Sequence, residues 1–331
     1  MKRISRLFLS CFVLASLSGV AKSQDLTNFL NAGLADGNKL ATAYFQPYGE
    51  MLGVNLNAGW YNSASVHKVG GFDITFQATM AFAPSSMETY NANTLGLQNF
   101  NVSGESSPTL VGKGNSQTLS PKIGSSNYGN VALPNGLGYG IFASPMIQAA
   151  VGLPLHTEVL VRYLPNLDLK GYGKIGLYGF GLKHSLKSYI PLVKRVPMWQ
   201  LSVLGAYTHF SSTTDLSYES GAVKSNGTME VGADAYTFRV LTGINLPMVA
   251  FYTGLGYGNT ASNFDLKGTF AGIPGASGNT TAANPLSMNY TQSGVDFNLG
   301  ARLRLGVIAF NVDYTVGKYN TVTAGVGVNF R

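Results

Sequence analysis

The sequence predicts an all-β fold: an antiparallel transmembrane β-barrel of about ten strands (twelve to fourteen is the alternative count), preceded by a short helical segment. Three observations carry this expectation. Charged residues make up 11% of the 331-residue chain, against about 25% in ordinary soluble domains. Beyond the N-terminal leader, no stretch offers the roughly 18 consecutive apolar residues of a membrane helix. Several segments nevertheless alternate apolar and polar residues strictly, which in a strand sends one set to each face. Hydrophobicity that is interleaved suits a barrel wall in lipid, where only alternate side chains meet hydrocarbon.

Residues 1–23 read as an export signal. Lys2, Arg3 and Arg6 form a basic start, residues 7–17 a short apolar core, and Ala21 and Ser23 a small-residue pattern that places cleavage before Gln24. The core is too short to span a bilayer as a helix. Cys11, the single cysteine, lies inside that core and is expected to leave with it. The exported chain then has no disulfide, thiol nucleophile or thiolate metal site. Cleavage removes four basic and no acidic residues, lowering the formal charge from +7 to +3. Such a dispersed charge is no footprint for nucleic acid, which calls for a clustered basic face.

Residues 24–68 form the second segment. Leu26, Phe29, Leu30 and Leu34, then Leu40, Ala41, Tyr44 and Phe45, recur at helical spacing. Pro47 is expected to end the helix. The segment either leads in along the periplasmic side of the membrane or folds back as a plug in the barrel mouth.

Residues 69–331 are assigned to the barrel. In 321–331, Val322, Ala324, Val326, Val328 and Phe330 alternate with Thr, Gly and Asn. Segments 307–316, 290–305 and 72–82 repeat the pattern. Six further strands are read near 140–153, 156–164, 171–184, 198–213, 230–246 and 248–262. Tight connections near 153–156, 245–248 and 305–307 mostly alternate with long ones at 84–139, 214–229 and 263–289, while 185–197 would be a long turn on the tight side and 317–320 a short one on the other. Short periplasmic turns and long outer loops are the rule for outer-membrane barrels of Gram-negative bacteria. The count then places both termini in the periplasm. The aromatic near the end of the last strand, Phe330, resembles the signal by which the barrel-assembly machinery receives its clients.

Charges on strands should face the lumen, because Arg or Lys on the lipid face at mid-bilayer costs roughly 2–4 kcal/mol. The inward set is Asp73, Glu158, Arg162, Arg239, Asp296, Arg302, Arg304 and Asp313. Arg302 and Arg304 face Asn311 and Asp313 across a tight hairpin. The set forms either a salt-bridge network or a cationic constriction that selects anionic solutes. Trp60, Trp199, Tyr207, Tyr252, Tyr257, Tyr314 and Tyr319 fit interfacial girdles. Gly171-Tyr-Gly-Lys-Ile-Gly176 matches a dinucleotide fingerprint in letters only, since a strand and not a helix follows it. His67, His156, His184 and His209 show no metal-ligand spacing, and no serine sits in a nucleophile-elbow turn. No enzyme activity, cofactor or metal is expected.

Ala41-Thr-Ala-Tyr44, Gly59-Trp-Tyr-Asn-Ser-Ala64 and His67-Lys-Val-Gly-Gly-Phe-Asp73 resemble a family of uncharacterised Gram-negative outer-membrane barrels, a domain of unknown function. Gly138-Tyr-Gly140, Gly181-Leu-Lys-His184 and Leu255-Gly-Tyr-Gly258 extend the likeness. A fainter similarity runs to the long-chain fatty-acid transporter (FadL-type) barrels, which have fourteen strands and a hydrophobic ligand path. Those begin with a hatch carrying a tyrosine-asparagine turn, much as Tyr61-Asn62 precedes Phe72; Ser63 stands where that family has proline. The implied function is passive transport of a small, hydrophobic or anionic, solute. A sealed barrel acting through its outer loops is the alternative, and an outer-membrane enzyme a second one. Expected partners are outer-membrane lipid, the assembly machinery and the solute.

Overall fold

The computed structural model describes residues 28–330, apart from 126, 170–172, 221–222 and 276. The export signal read over residues 1–23 lies outside the described residues. Ten antiparallel strands form one closed sheet: β1 (Phe72–Phe82), β2 (Ile141–Leu153), β3 (Thr157–Leu169), β4 (Gly173–Ser185), β5 (Trp199–Ser220), β6 (Val223–Asn245), β7 (Val249–Ile273), β8 (Leu286–Leu305), β9 (Ile308–Val316) and β10 (Asn320–Phe330). The first strand returns to the last, from Phe72 opposite Phe330 to Phe82 opposite Asn320, and this ladder closes the barrel. The strand count and the long connection 83–140 agree with the sequence reading.

Alternation works as expected within the membrane band. Tyr236, Phe238, Val240 and Ile244 of β6 point outward and are exposed, whereas Thr237, Arg239 and Leu241 point inward and are buried. Eight residue steps at about 3.4 Å, tilted by about 40°, give a band about 20 Å tall. Tyr163, Tyr178, Tyr207, Tyr236 and Tyr257 mark its edge on the side of the long loops. Of the girdle residues predicted, Trp199, Tyr207, Tyr257 and Tyr314 lie outside. Trp60, Tyr252 and Tyr319 are buried within the barrel, because the two tyrosines fall on the inward parity and Trp60 precedes the first strand.

The wall is taller than predicted on one side. Much of 214–229 and 263–289, read as loops, is strand in β5 to β8. Above the band the alternation inverts. Leu216, Met229, Phe264, Leu266, Phe270, Leu286 and Met288 turn inward and are buried, while Ser287, Asn289, Thr291 and Ser293 turn outward and are exposed. A strand leaving lipid for water reverses which face must be apolar, so a search for apolar-out segments stops at the membrane edge.

The lumen is filled by α1 (Leu34–Asn57), which packs against β1, β2 and β5 to β8. Its 24 residues span about 36 Å at 1.5 Å per residue. The helix continues through Pro47, where the sequence reading ended it. Losing one hydrogen bond there costs about 3 kcal/mol. Burial of Met51, Leu52 and Leu56 beyond it contributes about 1.5–3 kcal/mol each, so packing wins. Two glycines allow the close approach: a Cβ on Gly49 would lie 2.4 Å from the Tyr290 ring, and one on Gly53 2.9 Å from Thr260.

The direction of α1 departs from expectation. Its first turns lie among the long connections, where Asp36 accepts from the backbone of Gln98 and Asn99 (both 2.8 Å) and Asn38 from that of Ser287 (3.0 Å). Its far end leads through residues 58–71 to the short-turn rim, where Gly70 and Gly71 bond Gly152 and Lys68. The described N-terminal residues and Phe330 therefore sit at opposite rims, not together at the short-turn side. On the short-turn side the connections after β2, β6 and β8 are tight, but that after β4 (186–198) is long, and the β9–β10 connection at the other rim (317–319) is short; the preceding helix runs through the lumen in the other direction. Over the long-loop mouth, the 83–140 connection folds into short strand pairs. It buries Phe100, Leu110 and Leu119 with Phe29, Leu40 and Tyr44 in one apolar core.

Candidate functional site in the barrel lumen

The C-terminal end of a helix presents carbonyls without intrahelical partners and a partial negative charge. The last turn of α1 contains no basic residue, and the wall provides two. Arg162 donates to Leu56 O (3.1 Å), Ala58 O (2.7 Å) and Gln148 Oε1 (2.9 Å), and its guanidinium lies 3.8 Å from the centroid of Trp60. Arg239 donates to Asn57 O (3.3 Å) and is ion-paired with Asp296. Beside Arg162, Gly179 and Gly181 leave room for the indole: a Cβ on either would stand 3.0–3.1 Å from Trp60.

Farther towards the short-turn rim, the segment after α1 is pinned by a buried ionic chain. Lys183 Nζ lies 2.7 Å from Glu158 Oε1, and Glu158 Oε2 lies 2.7 Å from His67 Nδ1 and accepts from the His67 backbone at 2.8 Å. Arg302 reaches Asp73 (3.1 Å) and Asn62 (2.7 Å), and Asn62 donates to the same Asp73 oxygen (3.1 Å). His67 Nε2 meets Asn329 at 2.7 Å. Ser202 donates to Ala64 O and Gln77 to Gly59 O. Thus one continuous polar seam joins residues 56–67 to the wall.

Of the eight inward charges named from sequence, Asp73, Glu158 and Arg302 belong to this chain of contacts, and Arg162, Arg239 and Asp296 grip the helix end. Asp313 stands apart, accepting from Asn298 (2.8 Å) and Tyr252 (3.3 Å). Arg304 sits at the rim and donates to Leu246 O (2.8 Å) in the β6–β7 turn. The pairing expected across the β8–β9 hairpin does not form. Register sets Arg302 opposite Asn311, Gly300 opposite Asp313 and Arg304 opposite Ala309, so the arginines reach other partners. Sequence reasoning missed Lys183, His67, Asn62 and Glu50. Lys183 shares inward parity with Gly179 and Gly181, and that signal was available. The other three precede the barrel, where strand parity has no meaning. Glu50, on α1, meets Lys318 (2.6 Å) and Tyr319 (2.9 Å).

One seam of the wall is incomplete. The β2–β3 ladder runs only from Ile147 opposite Tyr163 to Leu153 opposite Thr157. Beyond it, residues 141–146 and 164–169 have no partner across the seam among the described residues. Pro145, which lacks an N–H, sits in that stretch. Nearby, Asn55 of α1 donates to Phe142 O (2.9 Å), a residue paired with Ala81 of β1, and to Ser144 Oγ (3.0 Å). Behind the seam lies a small pocket of about 30 Å³, lined mainly by Tyr48, Leu56, Phe142, Pro145, Leu164, Leu177 and Phe210. Among the described residues no group of three or more His, Cys, Asp or Glu is placed to hold a metal ion.

The model of a family of unknown function, DUF6588, matches residues 1–330. The chain belongs to that family. No curated protein matches the sequence. Solved structures with a similar fold include the translocator domain of the autotransporter NalP from Neisseria meningitidis. It is 11% identical, with a TM-score of 0.36, over 86% of this chain and 96% of that one. The attachment invasion locus protein Ail of Yersinia pestis is 9% identical, with a TM-score of 0.27, over 79% and 98%. The toluene transporter TbuX of Ralstonia pickettii is 8% identical, with a TM-score of 0.26, over 80% and 90%. In this DUF6588 chain, as in those proteins, antiparallel strands close into a barrel.

Proposed function

We propose that this protein is a plugged conduit of the Gram-negative outer membrane for a small hydrophobic solute, its long loops outside and its short turns in the periplasm. The observation that carries the reading is the unpaired β2–β3 seam beyond Tyr163, with a small, mostly apolar pocket behind it and a plug residue, Tyr48, on the pocket's inner wall. A solute dissolved near the outer leaflet meets no ladder hydrogen bonds there. Each lumen arginine is already engaged by carbonyls or carboxylates, so an anion-selective constriction has less support than an apolar route. Outer-membrane lipid and the assembly machinery are the partners this function requires, and no catalytic step belongs to it.

The test is binding of an apolar fluorophore, N-phenylnaphthylamine, to the exported chain refolded in vesicles. Saturable binding is expected, and Leu177→Trp, which fills the cavity, should weaken it strongly. Folded wild-type protein without saturable binding would sink the proposal. A sealed barrel acting at the cell surface is the second reading, favoured by the tall β5–β8 wall; it predicts no such binding.

A further inference from the structure

The course of α1 carries a second inference, about which side of the membrane its first residues occupy. Both ends of the helix are fixed by contacts with different parts of the barrel. At the start, Asp36 is tied to Gln98 and Asn99, Lys39 Nζ to Gly96 O (2.6 Å) and Asn38 to Ser287. A Cβ on Gly33 would meet Tyr128 and Pro274 O at 3.0–3.1 Å. Apart from Ser287, at the start of β8, these partners lie on the long connections. At the other end, Arg162 and Arg239 of the wall hold the last carbonyls, and the ionic chain from Lys183 to His67 holds the linker at the short-turn rim. Reversing the helix would set the two arginines against the backbone N–H end, where positive charge is unfavourable. The sequence of contacts thus gives the helix one direction, from the long-loop mouth to the short-turn rim.

We infer that residues 28–35 stand on the outer face of the cell, having crossed the membrane through the barrel that follows them in the chain. This rests on the proposed orientation, long loops outside. The barrel then serves as a passage for its own N-terminal segment, and the exposed start of the plug, with Asn31, Leu34 and Ala35 at its surface, is open to contact from outside.

Single cysteines test this, since Cys11 is the only one in the sequence and lies in the leader. Ala35→Cys, Ile123→Cys and Val69→Cys place a thiol at the helix start, on the long connection and at the short-turn rim; Ile123 and Val69 are both well exposed. Intact cells are treated with a membrane-impermeant maleimide. Ile123→Cys and Ala35→Cys should label alike, with Val69→Cys labelling only after permeabilisation. If Ala35→Cys behaves like Val69→Cys while Ile123→Cys labels, or stays unlabelled throughout, the threading is overturned and the orientation stands. If Val69→Cys labels in intact cells and Ile123→Cys does not, the orientation itself fails and the inference with it.

Discussion

Glu158 shows what a single buried carboxylate does in this lumen. It neutralises the buried Lys183 and orients the part-buried His67. Removing one partner of a buried ion pair typically costs about 3–5 kcal/mol, because the other charge is left without compensation. Glu158→Gln should therefore lower unfolding stability in detergent by that order. Adding Lys183→Met should recover part of the loss, and a double-mutant cycle gives the coupling directly. Gly181→Ala brings a Cβ to 3.0 Å from Trp60 and 3.2 Å from Ala206, and should cost about 1–3 kcal/mol by overpacking; thermal unfolding checks it. The inward direction of Glu158 and Arg302 was legible from parity alone. Their partners were not, because register, and hence who faces whom, depends on which residue begins each hairpin. Asp313 illustrates this: two positions of offset separate it from Arg302.

At the scale of elements, the plug and the wall are separable. The close approach of Gly49 to Tyr290 means that Gly49→Val cannot seat α1 as it now sits, while no strand is altered. The variant should still close its barrel, keeping heat-modifiable migration in SDS gels, yet should conduct ions in planar bilayers, with the plugged wild type expected to be silent. In a Trp199→Phe background Trp60 is the sole indole, and acrylamide should quench it more readily once Gly49→Val unseats the helix. Strands were the most legible elements, since lipid enforces a period of two over each crossing. The helix was legible up to Pro47 and no further. What lies beyond it, Met51 to Leu56, is held by contacts with β1, β2 and β7 that no local rule anticipates. The upper parts of β5 to β8 were hidden for a different reason: once outside lipid, the same period changes sign.

For the whole molecule, the apolar band sets where charge is tolerated. Leu299, outward and mid-band, and Ser293, outward and above it, lie on one strand six residues apart. Leu299→Arg should destabilise the folded protein in lipid vesicles by about 2–4 kcal/mol, and Ser293→Arg by about 0–1 kcal/mol. Equal effects would mean that the band is misplaced. Composition and alternation were sufficient for the fold class and for a strand count of about ten. The occupancy of the lumen was not, because a barrel of this size accepts either water or chain, and the deciding contacts join residues far apart in sequence.

That remoteness has a kinetic consequence. The bond from Asn57 to Thr260 joins residues 203 positions apart, and that from Tyr290 to Thr42 joins residues 248 apart. The helix comes early in the chain, yet the strands that embrace it come late, and the final ladder joins Phe72 to Phe330. Loops of such length close slowly. A sheet that wraps around the waiting helix carries it across the membrane as the wall closes, whereas a sheet shut first has to be threaded afterwards. The helix thus acts as a mandrel, and a chain lacking residues 28–57 should shut its barrel more slowly, not faster, when refolding is followed against time.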